Sequence, residues 1–582
     1  MKPTTREIHR PWWYQPEMAV LALLVGLCYV VRLTALPIAG EEGRWARGAT
    51  QMIETGDWVV LRQQGQIFPE RPPMSSWAMA VAGLWRGRVD DIAVRLPSVF
   101  AVLLTCWTIF WYSKTYLSRF AALASAAVYA TFGQVLQLGR MGESEALFAC
   151  LVSASLLIWH HGYTARYPAW FTWTSGYALA ALGALVKGPQ APVYFVMVTF
   201  FYLAITRNWK FLVHAGHLAG GLVFVCIVGA WQIPYYLATD WDCVLATWTG
   251  LAADRFSQTG VLTHMLWYPL ETLVCLLPWS PLLVIYLRRE FHRTLDHYRP
   301  LVLFLALAVL ITYPSVWLAT GSRGRYFMPL YPCFAILIGV VIDRVLVQQQ
   351  TELLRRGRLR VLLYATVVTC VAGVGVLLIS CLPSTRLEGL RQPTAIVVAL
   401  MSISVVVSCL LLWGLRSVNR RPAQLAFLSF CFFVGFCYCG PVINLQQRSW
   451  NNPRPAVREL RQNLPAADSL KSFGPVDHRF AYFYEDQITE LPWPTDAAQV
   501  PEGVTYFCYN WHRGDTPQCR SSGRGRAWKT TSGTLPFEWE LIANVNCGRD
   551  PVDPFRTVIV GRIVNPRRTL ARWDPGVAGS QR

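Results

Sequence analysis

The strongest constraint on this chain is a repeated one: from about residue 17 to 441, apolar runs of roughly bilayer-spanning length follow one another with short polar breaks. A membrane-crossing helix needs about 20 mostly apolar residues, and the hydrocarbon core admits only helices or closed barrels. The runs lie near 17–37, 92–112, 119–138, 145–161, 170–186, 190–206, 213–236, 266–287, 300–319, 326–346, 360–382, 394–415 and 423–441. They predict an all-α polytopic membrane protein with about 13 transmembrane helices, one either way. Composition agrees, since the chain is 53% hydrophobic and 15% charged, against roughly 25% charged in soluble proteins. A disordered or nucleic-acid-coating protein is excluded on that basis. Residues 1–16 are polar with Lys2, Arg6 and Arg10, and no small-residue cleavage pattern follows the first run. That run therefore reads as a retained helix.

The net charge of +19 would suggest a polyanion partner if it were clustered, but the basic residues are dispersed between the apolar runs. Lys and Arg near span ends mark cytoplasmic loops. With the N-terminus inside, the inner loops Ser113–Arg119, Arg207–Lys210, Arg288–Arg299, Arg344–Arg360 and Arg416–Arg421 are short and basic. The outer segments are then Ala39–Asp91, Gly139–Ser144, Lys187–Pro189, Leu237–Met265, Gly321–Arg325, Leu382–Pro393 and the tail from about Asn444. The expected organisation is a cytoplasmic tail 1–16, a transmembrane domain 17–443 that includes an outer loop 39–91, and an outer C-terminal domain 444–582.

In the first outer loop, Trp45, Ala49, Met52 and Ile53 share a helical face, which predicts an amphipathic helix able to lie on the membrane surface. A second helix is expected after Pro73 with Trp77, Val81 and Leu84 on its apolar side. The tail is polar, and alternation at Val504–Tyr509 and Thr557–Val564 predicts strands in a small mixed α/β domain. Most of the 16 Cys lie inside apolar runs and read as small buried hydrophobes. Cys508, Cys519 and Cys547 are in the tail, where a Cys508 to Cys519 bridge is one option in an oxidising compartment.

Ionisable residues at span ends are functional candidates by default, and five clusters of them fall on the outer side. Glu41-Glu42 follows the first span and supplies a candidate proton acceptor if partial burial raises a carboxylate pKa; helix capping explains the pair equally well. Glu70-Arg71 sits in a proline-rich turn whose plain reading is a surface ion pair. Arg140, Glu143 and Glu145 crowd one short loop, whose plain reading is a hairpin satisfied by its own salt bridge. Lys187, one of six Lys against 47 Arg, precedes Gly188-Pro189 at an outer span end, against the positive-inside bias, which points to a phosphate or carboxylate partner. Snorkelling to lipid headgroups is its alternative role. The stretch from Arg255 to Tyr268, with His264, and the turn Ser322-Arg323-Gly324-Arg325-Tyr326 form the fifth, where two guanidinium groups suit a phosphate. Glu70 and His264 are two candidate ligands for a divalent metal such as zinc, fewer than a site needs.

In their order along the chain these signals resemble the GT-C membrane glycosyltransferases, specifically the group of bacterial protein O-mannosyltransferases and lipid A aminoarabinose transferases. The residues that carry the likeness are Glu41-Glu42-Gly43-Arg44-Trp45, Gly56 to Val60, Glu70-Arg71-Pro72-Pro73, Ala93 to Ser98, Arg140 to Glu145, Lys187-Gly188-Pro189, Pro278-Trp279 and the Arg-rich turn before Tyr326. The resemblance covers roughly residues 17 to 340. It implies transfer of a sugar from a polyprenyl-phosphate donor to a lipid or protein acceptor at the periplasmic face of the bacterial inner membrane, usually with inversion. Glu41, Glu145 and Glu42 are then the catalytic candidates, and Lys187, Arg323, Arg325, Arg71 and Arg255 the donor-phosphate candidates. Arg44, Glu70, Glu143, Tyr268 and Tyr326 would position substrate. The family commonly has Asp where Glu41 stands and Lys where Arg71 stands. No cofactor is required by this reading, and the partners are the lipid-linked donor, the acceptor and membrane lipids, with no nucleic acid. A multi-span transporter or flippase of lipid-linked sugars is the alternative, although such proteins usually show paired halves and no matching second half is visible.

Overall fold

The structure is a computed structural model that describes residues 15–256, 260–349, 352–381, 390–417, 419–465, 470–511, 535–548 and 556–565, with side chains of 251–256, 511 and 565 left aside. The described residues divide into two compact units. One gathers those up to Leu33, from Arg95 to Pro234 and from 259 to Leu445; the other gathers Thr34 to Val94, Tyr235 to 258 and those from Gln446 onward.

The first unit is a helical membrane bundle. Among the described residues, eight helices are long and apolar enough to cross a bilayer, including Asp91–Ser113, Ser144–Thr164, Asp296–Trp317, Gly324–Gln348 and Glu352–Cys381. The expected count of 13 is not reached on length and composition. Pro16–Val30, Arg119–Ala130 and Gln190–Ile205 are shorter apolar helices, and Val261–Cys275 with Ser280–Leu287 is bent by 114°. Ala169–Lys187 coincides with the expected run at 170–186, but its first half carries Thr172, Thr174, Ser175 and Tyr177.

At two of these interruptions backbone carbonyls are satisfied by neighbours, as a low-dielectric setting demands. The first helix ends in a π turn at Gly26–Val30. The side chain of Arg140 reaches over and donates to the carbonyls of Cys28, Val31 and Arg32 at 2.6, 2.7 and 2.8 Å. Helix C-termini leave such carbonyls without intrahelical partners, so Arg140 acts as a cap rather than closing a salt bridge within its own hairpin. At the bend, the Leu277 carbonyl accepts from Gly133 N–H at 2.8 Å, the Pro278 carbonyl from the Tyr364 hydroxyl at 2.6 Å, and Trp279 Nε1 donates to Thr131 Oγ1 at 2.8 Å.

Close helix packing in this unit uses small residues. Gly216 and Gly220 form a small-xxx-small pair in helix Ala215–Ala238. A Cβ on Gly216 would meet backbone atoms of Ala169 and Trp170 at 2.8 Å, and one on Gly220 would meet Tyr177 at 2.5 Å. The intervening His217 stacks on Trp173 with centroids 4.2 Å apart and shares a 2.7 Å hydrogen bond with the Tyr177 hydroxyl.

The second unit combines the segment after the first helix with the tail. The amphipathic helix forms at Glu42–Thr55 and stops at Gly56, whose φ of 72° suits glycine. Its apolar face does not lie bare for a membrane: Trp45, Ala46, Ala49 and Met52 are buried in one core with Phe68, Met79, Val457, Phe480, Val558 and Val560. The second helix, Met74–Arg86, buries Ser75, Ser76, Met79, Ala80 and Gly83. Of the expected apolar side, Trp77 is partly buried while Val81 and Leu84, with the neighbouring Trp85, are exposed. The buried face carries the small residues Ser76, Ala80 and Gly83, which allow close approach.

Strands expected in the tail are present. β1 (Arg62–Gln63) and β2 (Gln66–Ile67) form a small hairpin before it. β3 (Lys471–Phe473), β4 (Thr489–Leu491), β5 (Tyr506–Trp511), β6 (Glu538–Asn546) and β7 (Thr557–Asn565) form a mixed sheet in the order β4-β3-β5-β7-β6. β3 is parallel to β4 and β5, while β7 is antiparallel to β5 and β6. Alternation along β5 and β7 sends Cys508, Val558 and Val560 to the helical core, and Phe507 and Ile563 to a second cluster with Phe473, Leu535 and Phe537. Cys519 lies outside the described residues.

The atoms facing Gly216 are backbone and cannot rotate away. Gly216→Ala is therefore expected to destabilise the bundle by about 1–3 kcal/mol despite the better helix propensity of Ala, read as a lowered unfolding midpoint in detergent. An unchanged midpoint would contradict the close contact.

Candidate active site

In the membrane unit, three chain breaks converge on one group of charges. Glu145 is in the first turn of helix Ser144–Thr164 and Lys187 is the last residue of helix Ala169–Lys187. Each sits where the helix dipole favours its sign. Gly188, with a φ of 86°, and Pro189 stop the second helix, which fixes Lys187 at its end. Lys187 Nζ is 2.9 Å from Glu145 Oε1, with side chains 3% and 4% exposed. Arg325 joins from the turn before helix Tyr331–Ile342: its Nε is 3.5 Å from the same Glu145 oxygen and its Nη1 is 3.8 Å from Glu143 Oε1. Tyr326 covers the group, with Lys187 Nζ 4.9 Å from its ring centroid and the Arg325 guanidinium carbon 5.5 Å away. Two carboxylates and two cations thus share one low-exposure cluster and balance in charge.

The 321–326 turn is itself held by residues not anticipated from the sequence. Gly324 N–H donates to Glu271 Oε1 at 2.7 Å, and the Gly324 carbonyl accepts from the Tyr331 hydroxyl at 3.1 Å. A Cβ on Gly324 would come within 2.8 Å of Cys275 Sγ and 3.1 Å of Glu271, so glycine is required for the close approach. The buried Tyr268 hydroxyl donates to the Arg323 carbonyl at 3.3 Å. The Arg323 side chain is exposed and makes no ion pair among the described residues. His264 stands against the Tyr268 ring at 5.0 Å, with its buried Nε2 lacking a hydrogen-bond partner among the described residues. Glu271 was legible in principle, being the single acidic residue within the run 266–287; the span-end criterion passed over it.

The second unit holds the other acidic cluster. Glu41 is the N-cap of helix Glu42–Thr55, and its carboxylate pairs with Arg44 at 2.9 Å. Arg44 also lies 3.6 Å from Glu70 and 5.1 Å above the Phe68 ring. Glu42 is fully buried and its Oε2 accepts from Ala39 N–H at 2.8 Å, so it serves the helix entry. The tail contributes His478, whose Nε2 is 2.7 Å from the Gly40 carbonyl and therefore carries the proton in that bond. Burial pushes the Glu41 carboxyl up, but Arg44, His478, Arg71 and Arg556 outweigh it and hold the group at about 2. Partial burial was expected to raise this carboxylate, and the surrounding cations reverse the direction. Because the folded value is depressed, Glu41 contributes stability that is present above the ordinary value near 4.5 and lost as pH falls toward 2.

The Arg255 side chain lies outside the described residues. Among the described residues no group of three or more His, Cys, Asp or Glu is placed to hold a metal ion, so a metal role for Glu70 and His264 rests on those two residues alone.

Removing one member of a buried pair leaves an uncompensated charge, which costs about 3–5 kcal/mol. Lys187→Met is expected to destabilise the bundle on that scale, and Lys187→Met with Glu145→Gln to recover part of the loss, measured by thermal unfolding in detergent. Additive losses in the double variant would show that the pair is not coupled.

Residues 70–231 match the family described as dolichyl-phosphate-mannose-protein mannosyltransferase. The chain is 27% identical over 349 residues to an undecaprenyl phosphate-alpha-4-amino-4-deoxy-L-arabinose arabinosyl transferase of Pseudomonas paraeruginosa, covering 58% of this chain and 61% of that protein. A protein of the same name from Aeromonas salmonicida is 26% identical over 442 residues, covering 72% and 76%. The chain thus spans about three fifths of the length of the Pseudomonas relative. Among solved structures, ArnT from Cupriavidus metallidurans bound to undecaprenyl phosphate superposes with a TM-score of 0.68 at 16% identity, over 95% of this chain and 99% of that one. The apo state of the same protein superposes with a TM-score of 0.64. The chain is a multi-span membrane protein with the GT-C glycosyltransferase fold, similar in sequence to the bacterial aminoarabinose transferases.

Proposed function

We propose that the chain is a glycosyltransferase that moves a sugar from a polyprenyl-phosphate donor to an acceptor lipid on the periplasmic side of the bacterial inner membrane, with its N-terminus in the cytoplasm. The observation that carries this reading is the cluster of Glu143, Glu145, Lys187 and Arg325 under Tyr326, gathered from three chain breaks all assigned to the outer side by the distribution of basic loops. A transporter reading gives no reason for those charges to collect at one end of the bundle. The relatives named as acting with undecaprenyl phosphate aminoarabinose support an amino sugar as the transferred group.

In this proposal the acceptor oxygen attacks the anomeric carbon while the bond from that carbon to the phosphate oxygen breaks, and the phosphate departs with its electron pair. The leaving phosphate needs positive charge in a low-dielectric setting. Arg323 is the cation turned outward, and Arg325 and Lys187 supply charge that the leaving group can share with Glu143 and Glu145. Tyr268 holds the backbone of the turn at the Arg323 carbonyl, and Tyr326 shields Lys187. Glu41 is the proton acceptor. With its proton affinity held so low, it suits an acceptor with an acidic O–H, such as the singly protonated phosphate monoester of a lipid A-like molecule, whose proton passes to Glu41 as the oxygen attacks, better than an aliphatic hydroxyl. Glu42 and Glu70 position Glu41 and Arg44.

Glu41→Gln is expected to lower kcat by about 10²–10⁴-fold, and Arg323→Gln to lower kcat/KM by about tenfold through loss of a charged contact. Both are read with purified chain and a polyprenyl-phosphate sugar. Mass spectrometry of envelope lipids and exported proteins with and without the chain identifies the acceptor. A modified protein with unmodified lipids would move the assignment to a protein acceptor, and unchanged lipids and proteins would refute transfer and favour transport. Arg44→Met removes a cation beside Glu41, so it should raise the acid limb of the kcat/KM pH profile by about 1 unit; an unmoved limb would remove Glu41 from the proton transfer.

A further inference from the structure

A second polar site lies at the far end of the same bundle. Arg325 and Arg344 both belong to the continuous span Gly324–Gln348, and 19 residues at 1.5 Å each separate them by about 28 Å. Around Arg344 is a pocket of about 350 Å³, lined by Arg293, Thr294, Asp296, His297 and Gln348, with Tyr298 as its wall. Arg344 is buried to nine-tenths. It donates to the Thr294 carbonyl and to Gln348 Oε1, and its guanidinium carbon lies 5.7 Å from the Tyr298 ring centroid. Its Nε is buried with no hydrogen-bond partner among the described residues.

The carboxylates nearby are already engaged. Asp343 accepts from the Ser118 hydroxyl at 2.5 Å, the Tyr298 hydroxyl at 2.6 Å and Gln348 Nε2 at 3.1 Å. Asp296 pairs with Arg299 at 2.9 Å. Arg344 and the exposed Arg293 therefore line a polar pocket with no carboxylate ion-paired to either among the described residues. Buried guanidinium groups are usually matched by carboxylate or phosphate oxygens. The segment that follows helix Ser280–Leu287 leads into this pocket, and Val284 and Leu287 of that helix are exposed apolar residues suited to acyl chains.

We propose that this pocket binds a phosphate group, presented by the headgroup of an anionic phospholipid. The Arg344 fork would hold the phosphate oxygens and Arg293 would close over them. This is distinct from the Lys187 cluster and does not rest on the transferase assignment.

The test uses the full chain reconstituted in bilayers that mix phosphatidylcholine with phosphatidylglycerol, then released for native mass spectrometry. Retained phosphatidylglycerol should exceed its share of the bilayer, and Arg293→Gln should cut that enrichment about fivefold, the effect of one basic group near a membrane surface. Arg344→Lys, which keeps the charge but loses the fork, should also weaken it. Displacement of the lipid by millimolar inorganic phosphate, lost in Arg293→Gln, would support the phosphate site and assign its occupant to the soluble anion. Equal enrichment in the unaltered chain and in Arg293→Gln would overturn the proposal, as would an equal fall in retained phosphatidylcholine and phosphatidylglycerol. Arg293 is exposed, so that variant keeps the test valid if Arg344→Lys fails to fold.

Discussion

Charge neutrality in a setting that cannot solvate charge governs the membrane unit. Lys187 and Glu145 are each almost fully enclosed, and their pairing at 2.9 Å, with Arg325 beside it, offsets the cost of burying them. That requirement ties the start of helix Ser144–Thr164 to the end of helix Ala169–Lys187, and Arg325 ties the turn before Tyr331–Ile342 to both. The reactive chemistry proposed for this end follows from the same arrangement. A set of charges that is balanced at rest can be drawn on by an incoming phosphate without the protein ever burying an isolated ion.

Glu41 illustrates how one residue type can be read in two opposite ways. A carboxyl near a membrane boundary is pushed up by lost hydration, and sequence alone offers no count of the cations that will surround it. Arg44 is three residues away and was visible. His478 and Arg556 come from the tail, more than 400 residues later, and no local pattern announces them. Their combined field decides that the group is ionised.

What was legible in the sequence depended on whether the signal was local. Apolar run length located the helices, and the rarity of Lys together with Gly188-Pro189 singled out Lys187. Alternation found β7 because the strand is nine residues long. Three features escaped for identifiable reasons. Arg140 was grouped with Glu143 and Glu145 by proximity in the chain, but the carbonyls of the first helix were the greater need. Met74–Arg86 packs through Ser76, Ala80 and Gly83, small residues that an apolar pattern does not mark, and leaves Val81 and Leu84 exposed. Glu271 was not among the span-end charges because it is in the middle of an apolar run, although the bend at Pro278 breaks that run into two short pieces.

The stop at Gly188 has a consequence for how the chain can evolve. Helix Ala169–Lys187 ends abruptly, so its length acts as a ruler that sets both the depth and the compass bearing of the ammonium group. One residue added or removed ahead of Lys187 would turn it by about 100° and shift it by about 1.5 Å, away from Glu145. Length changes in this helix are therefore tolerable only in steps near a whole number of turns, and relatives adapted to thicker or thinner membranes must accommodate the difference elsewhere.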